Sequence, residues 1–180
     1  CADPGDAYWM IQQAIETDDP VLFYEPKRRY HEPSPDQLDL AAGPARGLFE
    51  AEVLREGTDL TLLAYGPMVR TCLDVAKAAE EEGRSLEVID LRTLSPLDEE
   101  TICESVRKTG RAVIVHEAAR SYGVGAELAA LLQERCFYSL EAPVQRVTGY
   151  DIPYPPSRHE ERFLPDLDRV LDAVDRSLEY

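Results

Sequence analysis

The chain has 180 residues, 44% of them hydrophobic, and a formal net charge of −16. That length suits one well-packed domain with some chain to spare. The acidity argues against nucleic acid and against anionic membrane surfaces, and it fits a basic protein partner or plain solubility.

Residues 3–17 read as a helix, with Asp3 or Asp6 able to cap it and Pro4 in its first turn. Val21–Tyr24 follows as four consecutive apolar residues, the pattern of a strand buried on both faces. A lone helix-strand pair cannot bury itself, so it is either the end of an upstream domain or a unit packed on the main sheet. Residues 25–47 are rich in Pro and Gly and carry the basic cluster Lys27-Arg28-Arg29, as an interdomain linker would. Residues 48–55 alternate apolar and polar and predict an edge strand.

A repeating strand-helix pattern then begins. Leu60–Tyr65 predicts a strand, and Met68–Glu82 a helix with Val69, Cys72, Leu73, Ala76 and Ala79 on one stripe, closed by Gly83. Leu86–Leu91 predicts a second strand, and Asp98 caps a helix running to Thr109. Ala112–His116, a helix over 123–136 and Val144–Val147 continue the alternation. Residues 148–166 are Pro-rich and irregular, and a closing helix over 166–178 carries Leu167, Val170, Leu171, Val174 and Leu178 on one face. Alternating strands and helices imply an α/β fold with a doubly wound, mostly parallel sheet. Function in such a sheet sits at the C-terminal ends of the strands, here Gly66-Pro67, Arg92-Thr93, His116-Glu117 and Thr148-Gly149.

The four cysteines, Cys1, Cys72, Cys103 and Cys136, match no metal or disulfide spacing. Three fall in predicted helices as buried, reduced thiols, which points to the cytosol or a similar compartment. No apolar run is long enough to span a membrane, and no signal-peptide pattern opens the chain. An ordinary helix after Cys1 and no starting Met make the chain read as a fragment of a longer one.

Gly123-Val124-Gly125 resembles half of a dinucleotide fingerprint, but Leu128 stands where the third glycine belongs, so a tight strand-to-helix turn is the better reading. His116 beside Glu117 could do acid-base work, yet no nucleophile motif accompanies it. The pair is read instead as a buried contact at a domain or subunit interface, with Arg92 and Arg120 able to reach Glu117. His31 and His159 fall in Pro-rich loops and are read as solvated, as is the Glu80-Glu81-Glu82 helix end. These residues predict no self-contained active site and suit an assembly module.

Four stretches carry a resemblance: 19–30 (DPVLFYEPKRRY), 52–66 (EVLREGTDLTLLAYG), 87–118 (EVIDLRTLSPLDEETICESVRKTGRAVIVHEA) and 136–155 (CFYSLEAPVQRVTGYDIPYP). In order and content they resemble the C-terminal half of the beta subunit of the decarboxylating first component of 2-oxo acid dehydrogenases, a transketolase-like group. The branched-chain enzyme resembles them most, with the pyruvate and acetoin enzymes next.

The resemblance implies a subunit about twice as long. Residues 1–24 would end a pyrimidine-binding domain, 25–49 would link, and 50–180 would form the transketolase-type C-terminal domain. It also implies an α2β2 assembly with an alpha subunit and a second beta subunit. Thiamin diphosphate and magnesium would be held by residues outside this chain, so no catalytic residue carries over and the chain alone is expected to be inactive. A structural potassium ion would sit at carbonyls of Ala14, Thr17 and Asp19. Leu178, Glu179 and Tyr180 would help dock the basic subunit-binding domain of an acyltransferase core. The implied compartment is the cytoplasm of a bacterium, or the mitochondrial matrix of a eukaryote. A stand-alone binding module and a related transketolase-type synthase are the alternatives.

Overall fold

Apolar runs without alternation need cover on both faces, and the sheet provides it. Leu60–Ala64 (β2), Leu86–Asp90 (β3) and the first five residues of Ala112–Ala119 (β4) are buried throughout. With Glu52–Arg55 (β1) and Gln145–Gly149 (β5) they form one five-stranded sheet in the order β1-β3-β2-β4-β5. β3, β2, β4 and β5 run parallel, while β1 lies antiparallel along β3 at the edge. The computed structural model describes residues 1–30 and 43–180.

The period of two along each strand divides the core into two layers. On one face Leu60, Leu62, Val113 and Val115 pack beneath Met68–Glu81 (α2) and the closing helix Leu167–Leu178 (α6). On the other, Leu63, Ile89 and Ile114 pack beneath Glu99–Thr109 (α3) and Val124–Cys136 (α4). Asp98 and Asp166 cap α3 and α6 by accepting the N–H of Thr101 and Arg169. Between α3 and β2, buried hydroxyls satisfy one another: Thr61 Oγ1 lies 2.7 Å from Ser105 Oγ and 2.8 Å from Thr109 Oγ1. Cys72, Cys103 and Cys136 are buried free thiols.

Pro4–Glu16 (α1) begins as expected, with Asp3 Oδ1 accepting the N–H groups of Gly5 and Asp6. Its partner does not. Val21–Tyr24 forms neither helix nor strand, and Leu22 and Tyr24 are 83% and 79% exposed. Four apolar residues in a row need a neighbouring strand on each side to become a buried strand, and here none is offered. The helix predicted over 123–136 starts one residue later at Val124, with Gly123 as its cap, and β4 runs three residues past His116. The irregular 148–166 segment holds a 3-10 turn, Ser157–His159, followed by the short helix Glu160–Phe163 (α5). His159 is exposed, while His31 and much of the expected linker lie outside the described residues. No helix among the described residues is long and apolar enough to cross a membrane.

Candidate functional site

Parallel strands leave their C-terminal ends pointing into one crevice, and a recess lies there. It has a volume of about 730 Å³. Tyr65–Pro67 after β2 and Arg92–Pro96 after β3 form its floor, Glu117 borders it from β4, and the 19–26 segment with Leu48 and Phe49 forms the opposite wall. Its lining is mainly apolar, with Asp19, Glu25, Arg92 and Glu117 as the charged members.

Arg92 is the most constrained of these residues. Its side chain is 2% exposed and its backbone lies in the left-handed region at φ +53°. Nε donates to Asp6 Oδ1 at 3.0 Å, and Nη1 donates to the carbonyls of Gly47 and Glu50 at 2.8 Å each. Its backbone N–H donates to Asp90 Oδ1 at 2.9 Å. The expected partner Glu117 is thus not the one Arg92 takes; the partner is Asp6, on a helix 86 residues away in sequence. Burial pushes the carboxyls of Asp6 and Asp90 upward, Asp90 to about 7, against the pull of Arg92.

His116, read from sequence as a buried contact at a domain or subunit interface, is fully buried within its own chain. Gly125 donates its N–H to Nε2 at 3.1 Å, and the Tyr65 ring stacks at 6.2 Å between centroids. A Cβ on Gly123 or Gly125 would fall 2.8 Å and 2.4 Å from the imidazole, so both glycines are the room that His116 occupies. Burial lowers its pKa, Arg146 adds to that, and a contact with the Ala118 backbone opposes it. Nε2 is thus engaged as an acceptor, while Nδ1 is buried and meets no hydrogen-bond partner among the described residues. Glu117 remains half-buried at the cleft rim.

The same geometry bears on cofactors. The Gly125 N–H, which a phosphate at this helix start would need, is taken by His116. No three His, Cys, Asp or Glu side chains converge as metal ligands among the described residues. The residues present therefore do not fit thiamin diphosphate or magnesium. Ala14 lies in the last turn of α1, Thr17 is its C-cap with its N–H on Gln13 O, and Asp19 is exposed beside the cleft. At the other terminus Leu178 packs on the core, while Glu179 and Tyr180 are exposed. Sequence reasoning missed the Asp6–Arg92 pair and the buried Glu87, which accepts from Gly57 N–H and from Lys108.

Residues 50–170, two thirds of the chain and the whole of the sheet, match the transketolase C-terminal domain. The chain belongs to that family. A split-gene transketolase, solved as an inactive beta4 tetramer, superposes on this family member with a TM-score of 0.75 at 26% identity, over 99% of this chain and 55% of that one. The pyruvate dehydrogenase E1 component subunit beta of Leifsonia xyli is 51% identical over 98% of this chain and 52% of its own length. The 3-methyl-2-oxobutanoate dehydrogenase subunit beta of Mycobacterium tuberculosis is 52% identical over 97% and 50%. The 2-oxoisovalerate dehydrogenase subunit beta of Pseudomonas aeruginosa is 45% identical over 99% and 54%. The chain spans about half the length of the curated relatives it matches. The resemblance to beta subunits of 2-oxo acid dehydrogenases thus extends over nearly the whole chain.

Proposed function

We propose that this chain is the C-terminal part of the beta subunit of a 2-oxo acid dehydrogenase, with a branched-chain 2-oxo acid as substrate. The alignment with such beta subunits over 97–99% of the chain carries the proposal. The whole enzyme would decarboxylate its substrate on thiamin diphosphate and pass the acyl group to a lipoyl arm. The cofactor would be held by other parts of the assembly, since the residues here do not fit it. This domain's part is architectural: it presents the cleft-bearing edge of its sheet to neighbouring chain, and it turns over no substrate alone. The branched-chain choice rests on the resemblance of 98–111 and 136–155. A pyruvate enzyme is the competing specificity, because a pyruvate relative is as similar as a branched-chain one.

The partners in this proposal are an alpha subunit, a second beta subunit and the basic subunit-binding domain of an acyltransferase core. The −16 charge and exposed Glu179 and Tyr180 suit that basic domain. A potassium ion held by carbonyls of Ala14, Thr17 and Asp19 would brace the end of α1. Native mass measurement of the whole beta subunit, co-expressed with its alpha subunit, tests the assembly. An α2β2 species is expected. A beta subunit that never enters a complex would turn the case toward a stand-alone binding module.

A further inference from the structure

We propose that Arg92 is the bolt of a clasp that sets the width of the cleft, holding α1 and the 47–50 turn against the end of β3. The inference rests on geometry alone and holds whatever reaction the whole protein serves.

The two walls of the cleft belong to different pieces of chain. Cys1 and Met10, Leu48 and Phe49, and Arg92–Pro96 all contribute to its lining. Arg92 spans them through one planar group. Nε and Nη2 face Asp6 Oδ1, both at 3.0 Å, while Nη1 is shared by the carbonyls of Gly47 and Glu50. A guanidinium suits this task because its donors are fixed in one plane and point in different directions, whereas an ammonium offers a single compact head.

Among the described residues, α1 has few other holds on the sheet, Ala2 just before it packing against the core. Met10 is its one buried residue. Gln13 Nε2 donates to Arg46 O at 2.9 Å, and Arg29 Nη1 to Ala2 O at 2.9 Å, but neither bond reaches the sheet. The 47–50 turn has a second tether, Thr93 Oγ1 donating to Leu48 O at 2.7 Å. Loss of the guanidinium should therefore free α1 more than the turn. The left-handed backbone of Arg92 is an independent sign. Such a conformation is costly for a residue with a Cβ and persists where surrounding bonds enforce it, often beside a site that must change shape. Here Asp90 accepts the Arg92 backbone N–H while the side chain reaches Asp6 of α1 and the carbonyls of the 47–50 turn.

Peptide-resolved hydrogen–deuterium exchange of the whole protein tests the clasp. In Arg92→Ala, amides of residues 4–16 are expected to exchange about tenfold faster, and those of 47–50 faster by less, with β2 and β3 unchanged. In Asp6→Asn, only α1 should speed up, because Arg92 keeps its hold on Gly47 and Glu50. Equal acceleration across α1, β2 and β3 would overturn the proposal, since Arg92 would then be a general staple of the fold. Unchanged α1 exchange in Asp6→Asn would overturn it as well, and that variant decides if Arg92→Ala does not fold. Neither readout depends on activity, so failure here is separable from failure of the enzymatic proposal.

Discussion

The backbone N–H of Gly125 donates to Nε2 of His116 across 3.1 Å, so the first turn of α4 is seated directly on a buried imidazole. Gly125→Ala would place a Cβ 2.4 Å from Nε2 and 2.8 Å from Cδ2. Overpacking of this kind costs about 1–3 kcal/mol. His116→Ala removes the obstruction, so the double variant should be more stable than the sum of the two single losses predicts, by at least about 0.5 kcal/mol. Urea denaturation of the four proteins measures that coupling; strict additivity would mean that the two residues do not share the space.

Asp90 makes stability depend on pH in a defined direction. It is 1% exposed at the end of β3 and faces Arg92, Asp6 of α1, Cys72 of α2 and the amino group of Cys1, with Glu52 opposite on β1. Its carboxyl titrates near 7 when folded, against 3.8 when free. Between those values the folded state binds more protons than the unfolded one, so this contribution is complete near pH 4 and is lost as pH rises to about 7. At 1.36 kcal/mol per pH unit the whole span is on the order of 4 kcal/mol. His116 acts in the opposite sense: its pKa is depressed, and its contribution is lost as pH falls below 6.5. The difference between wild type and Asp90→Asn isolates the Asp90 part. Asp90→Asn should gain on the wild type from pH 4 to 7, as read by denaturant midpoints.

Two glycines separate steric from conformational demands. A Cβ on Gly57 would lie 2.2 Å from Leu86 C and Glu87 N, both backbone atoms. Gly57→Ala must therefore move the start of β3 and should cost about 3 kcal/mol or more. Gly83, with φ +80° and open space around it, should cost only about 1–2 kcal/mol on the same change. Thermal melts of the two variants should rank them in that order.

Leu22 and Tyr24 are apolar but exposed, so Leu22→Ser and Tyr24→Ser should each change stability by less than about 0.5 kcal/mol in the 180-residue chain. Leu62→Ala, inside β2, should cost about 2–5 kcal/mol. A large loss at Leu22 would show that the 21–24 segment is buried in solution.

The main sheet was legible because local pattern and tertiary fate coincide there. The five residues Leu60–Ala64 could only be buried, and the stripes of α2 and α6 fell where their period of 3.6 put them. Val21–Tyr24 shows where that inference fails. An apolar run states a need for cover but cannot say which chain supplies it. The burial of His116 was legible at a strand end, but what encloses it was not: the glycines that make room for it lie seven and nine residues on, in a stretch read only as a tight strand-to-helix turn. Arg92 paired with Asp6 across 86 residues, a distance at which sequence holds no signal. Placing Arg92 at a strand end was right, and naming Glu117 as its partner was not.

The most direct test of the account is the rate of 2-oxo acid decarboxylation by the whole beta subunit assembled with its alpha subunit and supplied with thiamin diphosphate and magnesium. The substrates are 3-methyl-2-oxobutanoate and pyruvate, and the 180-residue chain alone is the control. The account predicts turnover by the assembly, faster on 3-methyl-2-oxobutanoate, and none by the chain alone. An assembled complex that decarboxylates neither acid, or a chain that turns over substrate unaided, would contradict it.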